Sequence, residues 1–284
     1  MSPLRLPDVD VLGSINVDTT FMMSRLPRPG ETVLADSELT CVGGKGANQA
    51  VALARLGARV RCLGAVGTDD AGRFALEALA GSGVDVSAIL TTGAPTGRAL
   101  VNVDEEGENQ IVVSPGANTH LDPEEVVLRG EVLLCQLEVP PHVVDAVVAS
   151  AGDDRFVAVN AAPARTLAPE TLRRADLVIV NRLEHEALPE LATARQVIVT
   201  DGASGAFHLH RGEVSKRAAG MPAHVRSTVG AGDAFTAAVT LAIAAGLPPE
   251  TALAIGVRVG ASAVESASSQ PELAPLETYL PSPA

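Results

Sequence analysis

The stretch STVGAGDAF, residues 227–235, sets Asp233 behind Gly230-Ala231-Gly232 at the head of a long alanine-rich run. The run AFTAAVTLAIAAGL is too long for an ordinary strand and too rich in small residues for a membrane span. It reads as a buried helix closed by Gly246, with Pro248 just beyond. Residues 230–232 then lie at a helix N-terminus, where free backbone N–H groups and the helix dipole favour an anion. Two readings of Asp233 stay open at this point: a helix cap, or a base beside a phosphate cradle.

Other polar residues stand directly after apolar runs. Asn16 and Asp18 follow VDVLGSI, Glu138 ends VLLCQLE, Asn160 ends RFVAVN and Asn181 ends DLVIVN. Singly, each is the kind of residue that makes a turn. Together they line one edge of a sheet, where open α/β sheets bind ligands. In CVGGKGANQA (41–50), Gly43 and Gly44 let the backbone approach a ligand closely, and Lys45 and Asn48 offer donors. This is not a Walker A loop, because Gly46 rather than Ser or Thr follows Lys45. In NRLEHE (181–186), Asn181 and Glu184 share a helical face that could hold a hydrated Mg²⁺ through oxygen ligands. The same spacing also describes a plain helix start with a solvated acidic face. His208 and His210 alternate as on a surface hairpin, and no histidine spacing suggests zinc.

The elements that must position these residues alternate. Apolar runs at 9–15, 60–67, 132–138, 155–160, 176–181 and 196–202 read as strands, and helical stretches at 47–57, 74–83 and 141–152 lie between them. Continuous β-branched runs imply parallel strands covered on both faces, an α/β doubly wound, mostly parallel sheet flanked by helices. TGRALVNVDEEGENQIVVSPG (96–116) breaks the alternation as a hairpin standing off that sheet. Strands from 17–42 and 96–113 would make a small β-sheet lid that excludes water from a reactive centre. Residues 1–284 are expected to form one domain.

Composition narrows the partners. A net charge of −13 repels a nucleic-acid backbone, although a local nest of amides can still bind a small phosphorylated ligand. Three separated cysteines form no CxxC pair and no disulfide framework, and MSPLRLPDVD lacks the apolar core of a signal peptide. A cytoplasmic protein without nucleic-acid or membrane partners is expected. The first strand–helix turn has no GxGxxG fingerprint, which argues against a nicotinamide-dependent reductase.

GSINVD (13–18), PGET (29–32), GGKGAN (43–48), GEN (107–109), QLEVP (136–140), NAAPAR (160–165), NRLE (181–184) and GAGDAF (230–235) occur in the order of one family. From about residue 9 to about 275 the chain resembles the ribokinase-like (PfkB) carbohydrate kinases. The resemblance implies ATP and Mg²⁺, with Asp233 as general base toward a sugar hydroxyl and the amides of Gly230, Ala231 and Gly232 as an anion hole. It implies sugar binding by Asn16, Asp18, Gly44, Lys45, Asn48 and Glu138. Asn181 and Glu184 match the motif that orients Mg²⁺ and phosphate, with Glu184 reaching the metal through water. Thr200, Gly202 and Gly205 match a nucleotide-binding turn.

GGKGAN with GSINVD and GEN leans toward ribose over fructose. A nucleoside, deoxyribose or another sugar is the nearest alternative acceptor, and a non-catalytic sugar- or nucleotide-binding regulator is the alternative class. At Ser227 the family often carries a carboxylate that helps to hold a monovalent cation, usually potassium; a neutral hydroxyl there weakens that site. The segment between Asn181 and Val197 is shorter than the resemblance implies. Exposed hairpin edges invite pairing, so a homodimer through the lid is a further expectation.

Overall fold

The computed structural model describes residues 4–281; the two ends of the expected domain lie outside the described residues. The chain opens with β1 (Val9–Leu12), β2 (Asn16–Met22), β3 (Ser37–Gly43), α1 (Lys45–Arg55), β4 (Val60–Leu63) and β5 (Ala65–Gly67). It continues through α2 (Asp70–Gly81), β6 (Leu90–Thr92), β7 (Gly97–Val103), β8 (Asn109–Ser114), β9 (Val132–Gln136) and α3 (Pro141–Ser150). Then come β10 (Phe156–Asn160), α4 (Pro169–Arg174), β11 (Leu177–Asn181), α5 (Arg182–Ala187) and β12 (Gln196–Thr200). β13 (Gly205–His210), β14 (Glu213–Ala219), α6 (Ala231–Ala244) and α7 (Pro249–Val264) complete the order.

The main sheet has eight strands in the order β14-β13-β12-β11-β10-β9-β1-β4, parallel from β12 to β4 and antiparallel at β13 and β14. The continuous apolar runs are explained by burial on both faces. Val9, Val11, Leu134 and Ile179 pack toward α1, α6 and α7, while Leu12, Leu133, Val159 and Val180 pack toward α3 and α4. With almost no aromatic residues, the first layer closes through small side chains. A side chain at Gly256 of α7 would collide with Val239 and Phe235 of α6, so glycine there sets the approach of the two helices.

Two expectations from the sequence need correction. The run 60–67 is two strands, not one: β4 stays in the main sheet, and β5 leaves it to pair with β6. The break falls at Gly64, where a Cβ would press on the Gly13 carbonyl and the Ile15 side chain. His208 is buried, not on the surface, because β13 lies between β12 and β14 and under α7. Its ring meets Ser215 Oγ at Nδ1 and Gln196 Oε1 at Nε2.

β2, β3, β7 and β8 form a separate four-stranded sheet, in the order β3-β2-β7-β8. It leaves the main sheet at the carboxyl end of β1 and returns through Gly43 and Gly44 into α1. Since β1 has β9 on one side and β4 on the other, the main sheet switches direction there, which is where such folds open a crevice. Among the described residues no helix is long and apolar enough to cross a membrane.

Candidate active site

α6 starts at Gly230, which takes the left-handed backbone with φ 80° and caps the helix. Any side chain there would also run into the carbonyl oxygen of Ser269. Asp233 is the third helical residue and makes no capping hydrogen bond. The cap reading is therefore overturned, and the carboxylate turns inward. Its Oδ1 accepts from Gln49 Nε2 at 2.9 Å and its Oδ2 accepts from Asn48 Nδ2 at 3.1 Å. Burial pushes the Asp233 carboxyl above the ordinary range, while Lys45 and the two amides oppose that rise. The outcome is a buried carboxylate held by neutral donors.

A wall of amides fixes the direction of those bonds. Asn160 Nδ2 donates to the Ile179 carbonyl, so its Oδ1 faces Gln49 Nε2 at 2.9 Å. Gln136 Nε2 donates to Gln49 Oε1 at 2.6 Å. Gln49 must therefore present its NH₂ to Asp233. The sequence reading picked out Asn160 only as a strand-end residue, and it missed Gln49 and Gln136. Their signal is an uncharged amide within an otherwise apolar buried element.

In front of this wall lies a cavity of ≈190 Å³. It brings together Lys45, Asn181, Glu184, Thr200, Gly230, Gly232 and Asp233, with Thr228 and Thr236 beside them. Burial lowers the Lys45 ammonium, but Asp233, Glu138 and Glu184 outweigh it and raise it overall. A charged lysine and the first amides of a 14-residue helix thus face one small polar cavity, a fit for a phosphoryl group.

The smaller sheet brings a second cluster to the same edge. Glu138 Oε2 accepts the Lys45 N–H at 2.9 Å and the Ser14 hydroxyl. Gly44 caps α1 with φ 88°, and a Cβ there would strike the Ser14 carbonyl. Asn16 Oδ1 accepts from Asn118 Nδ2 at 2.8 Å, a partner the sequence reading did not find. The Asp18 carboxylate lies over Gly43, its Oδ1 buried with no hydrogen-bond partner among the described residues. Burial and then the nearby charge of Glu138 push Asp18 up to about 6.

The remaining candidates take other places. Asn181 and Glu184 form a reciprocal capping box at the start of α5, each side chain accepting the other's backbone N–H at 2.8 Å. The helix-start role is thus real, and Glu184 still lines the cavity. Gly202 and Gly205 lie in the β12–β13 turn with φ 52° and 105°. At Gly205 a Cβ would collide with the Ala218 carbonyl of β14, so strand pairing already demands glycine there. Ser227 Oγ accepts the Val229 N–H in a local turn, so it adds no charge for a monovalent cation.

Residues 6–275 match the pfkB family carbohydrate kinases. The chain belongs to that family. It is a phosphotransferase acting on a sugar hydroxyl, as that membership states. A ribokinase of Bacillus subtilis is 36% identical over 281 residues, covering 93% of this chain and 94% of the relative. The crystal structure of a Thermotoga maritima ribokinase superposes with a TM-score of 0.87 at 26% identity, covering 96% of this chain and 99% of that one. The Arabidopsis thaliana ribokinase complexed with ribose and ATP gives 0.86 at 26% identity, with 97% and 98% covered. Family membership and the geometry of the Asp233 cavity point to the same chemistry.

Proposed function

We propose that this carbohydrate kinase transfers the γ-phosphoryl group of ATP to the 5-hydroxyl of ribose, with Asp233 as general base. The observation that carries the proposal is the placement of Asp233. It is a buried carboxylate at the N-terminus of α6 that shares a cavity with Lys45 and the first glycines of that helix, and it lies within electrostatic reach of Glu138, the neighbour of Asp18. Lys45 and the helix head suit a phosphate, and the carboxylates of Glu138 and Asp18 suit sugar hydroxyls. Asp233 accepts the proton of the attacking hydroxyl as its oxygen bonds to the γ-phosphorus and ADP departs. Gly230, Ala231 and Gly232 direct backbone N–H groups at the charge that develops, and Lys45 adds a positive charge beside them.

The oxygen donors of Glu184, Asn181 and Thr200 on the cavity fit a hard cation. Among the described residues no cluster of three His, Cys, Asp or Glu side chains could hold a metal alone. The donor set therefore suits Mg²⁺ that enters with the nucleotide and keeps most of its water. When bound, that ion neutralises charge on the phosphates. Gly202 and Gly205 shape the turn beside the nucleotide and contribute backbone only. With Ser227 neutral and engaged in its turn, we expect turnover without added potassium.

The smaller sheet acts as the lid, and its outer face supports self-association. Leu100 and Val112, opposite each other on β7 and β8, are exposed on the face away from Asp18, while Leu39, Ile111 and Val113 are exposed on the other face, which leaves apolar side chains on an edge-bearing sheet. A homodimer through the Leu100–Val112 face is predicted to sediment as a single species of doubled mass, and Val112→Lys should return it to monomer.

The test of the function is ADP release from Mg-ATP with ribose, deoxyribose, fructose and adenosine, each with and without potassium. Ribose is expected to give the highest kcat/KM. Turnover with adenosine alone would move the acceptor to a nucleoside. Binding of ATP without turnover on any acceptor would replace the kinase by a binding protein.

A further inference from the structure

Behind the Asp233–Asn48 pair lies Gln270, on the segment that follows α7. Its side-chain Nε2 donates to two oxygens, the Val42 carbonyl and Asn48 Oδ1, each at 3.2 Å. Val42 belongs to β3, the strand by which the lid re-enters the main domain through Gly43 and Gly44. The next residue back, Ser269, presses its carbonyl on Gly230 at the head of α6. Arg55 of α1 anchors the segment by donating to the Gln270 and Pro271 carbonyls and pairing with Glu272 at 2.9 Å. One short stretch thus touches the lid strand, the anion cradle and a partner of the base.

The polarity of this contact is forced. A backbone carbonyl only accepts, so the Val42 oxygen requires Gln270 to turn its NH₂ inward. That NH₂ then requires Asn48 to present Oδ1. With its oxygen so engaged, Asn48 has only its own NH₂ to offer Asp233, and it makes that bond at 3.1 Å. We infer that Gln270 is a positioning residue for phosphoryl transfer, setting the amide of Asn48 as a donor to Asp233 and tying that setting to strand β3 of the lid. Gln270 itself does not line the cavity. It acts through Asn48.

The inference rests on the kinase reading above and adds a residue to it. It also separates hydrogen-bond polarity from packing. Gln270→Glu keeps the shape but can only accept when ionised, so it invites Asn48 to flip and turn its oxygen on Asp233. Gln270→Met keeps the volume and imposes no polarity. The experiment measures kcat and KM for ribose, together with melting temperature, for the wild type and both variants.

The expected order of kcat is wild type, then Met, then Glu. The Glu variant should be lower than wild type by about tenfold, the worth of one hydrogen bond to a charged group. KM should change less than kcat, and melting temperatures should stay close together. Equal kcat in all three proteins overturns the inference, as does a loss that follows melting temperature with Met no better than Glu. A wild type with no turnover on any sugar overturns the kinase reading and the inference with it. Turnover that is indifferent to Gln270 overturns the inference alone.

Discussion

Two carboxylates on the same sheet edge are treated in opposite ways. Asp233 is deeply buried, yet both of its oxygens accept amide N–H groups from α1. Asp18, on the first strand of the smaller sheet, is less deeply placed but holds a buried oxygen with no hydrogen-bond partner among the described residues. One side of the site is complete before any substrate arrives; the other is short of donors. In the proposed kinase a sugar hydroxyl would supply what Asp18 lacks, so that substrate binding would relieve a cost already present in the free protein. The proposed base, Asp233, is by contrast preset, as a group that must act in the transition state should be.

The largest expected effect of breaking this contrast is on Asp233. Asp233→Asn keeps the shape but accepts no proton, so kcat should fall by about 10²–10⁴-fold with the fold intact. Steady-state kinetics and circular dichroism check both halves. On the other side, Asp18→Asn should raise the ribose KM by roughly tenfold to a hundredfold, because the carboxylate acceptor is lost. Its kcat at saturating ribose should change little. A fall in kcat that matches the rise in KM would mean the two carboxylates do not divide binding from chemistry.

A smaller effect should follow from the wall behind the base. Gln49→Met removes a donor that holds Asp233 ionised against burial. Activity requires the ionised base, so it declines as pH falls through the Asp233 pKa. Losing the donor raises that pKa, and the acid limb of kcat/KM should move to higher pH. The plateau kcat should fall by less than about tenfold. An unmoved acid limb would show that Gln49 only fills space.

The smallest effect is on stability and has the opposite sign from the usual carboxylate. Asp18 is raised from 3.8 to about 6 in the folded protein, so the folded state holds its proton more tightly than the unfolded chain. Ionising it costs the free protein stability above pH 6, by roughly 3 kcal/mol at most, and the cost disappears as pH falls from 6 toward 4. Asp18→Asn should therefore melt at a higher temperature than the wild type at pH 7.5 and at a similar one near pH 4. Saturating ribose should narrow the gap at pH 7.5.

The sequence made the catalytic half legible through its glycines and the strand-end polar residues. Gly230, Gly44 and Asp233 could be read because their chemistry is local: a left-handed turn, a helix head, an acid beside it. Gln49, Gln136, Asn118 and Gln270 could not. Each matters through a partner from 87 to 222 positions away, and nothing in a single segment announces such a meeting. His208 was misread for a related reason. Its alternation with His210 is the same in an edge hairpin and an interior strand, and only the pairing of β13 with both neighbours buries it.

The most direct test of the division between a preset base and an unsatisfied sugar side is to titrate ribose into Asp233→Asn by calorimetry and assay ADP release on the same preparation. The account predicts ribose affinity close to that of the wild type, with turnover nearly abolished. Loss of ribose binding together with turnover would contradict it, and so would turnover that survives the substitution.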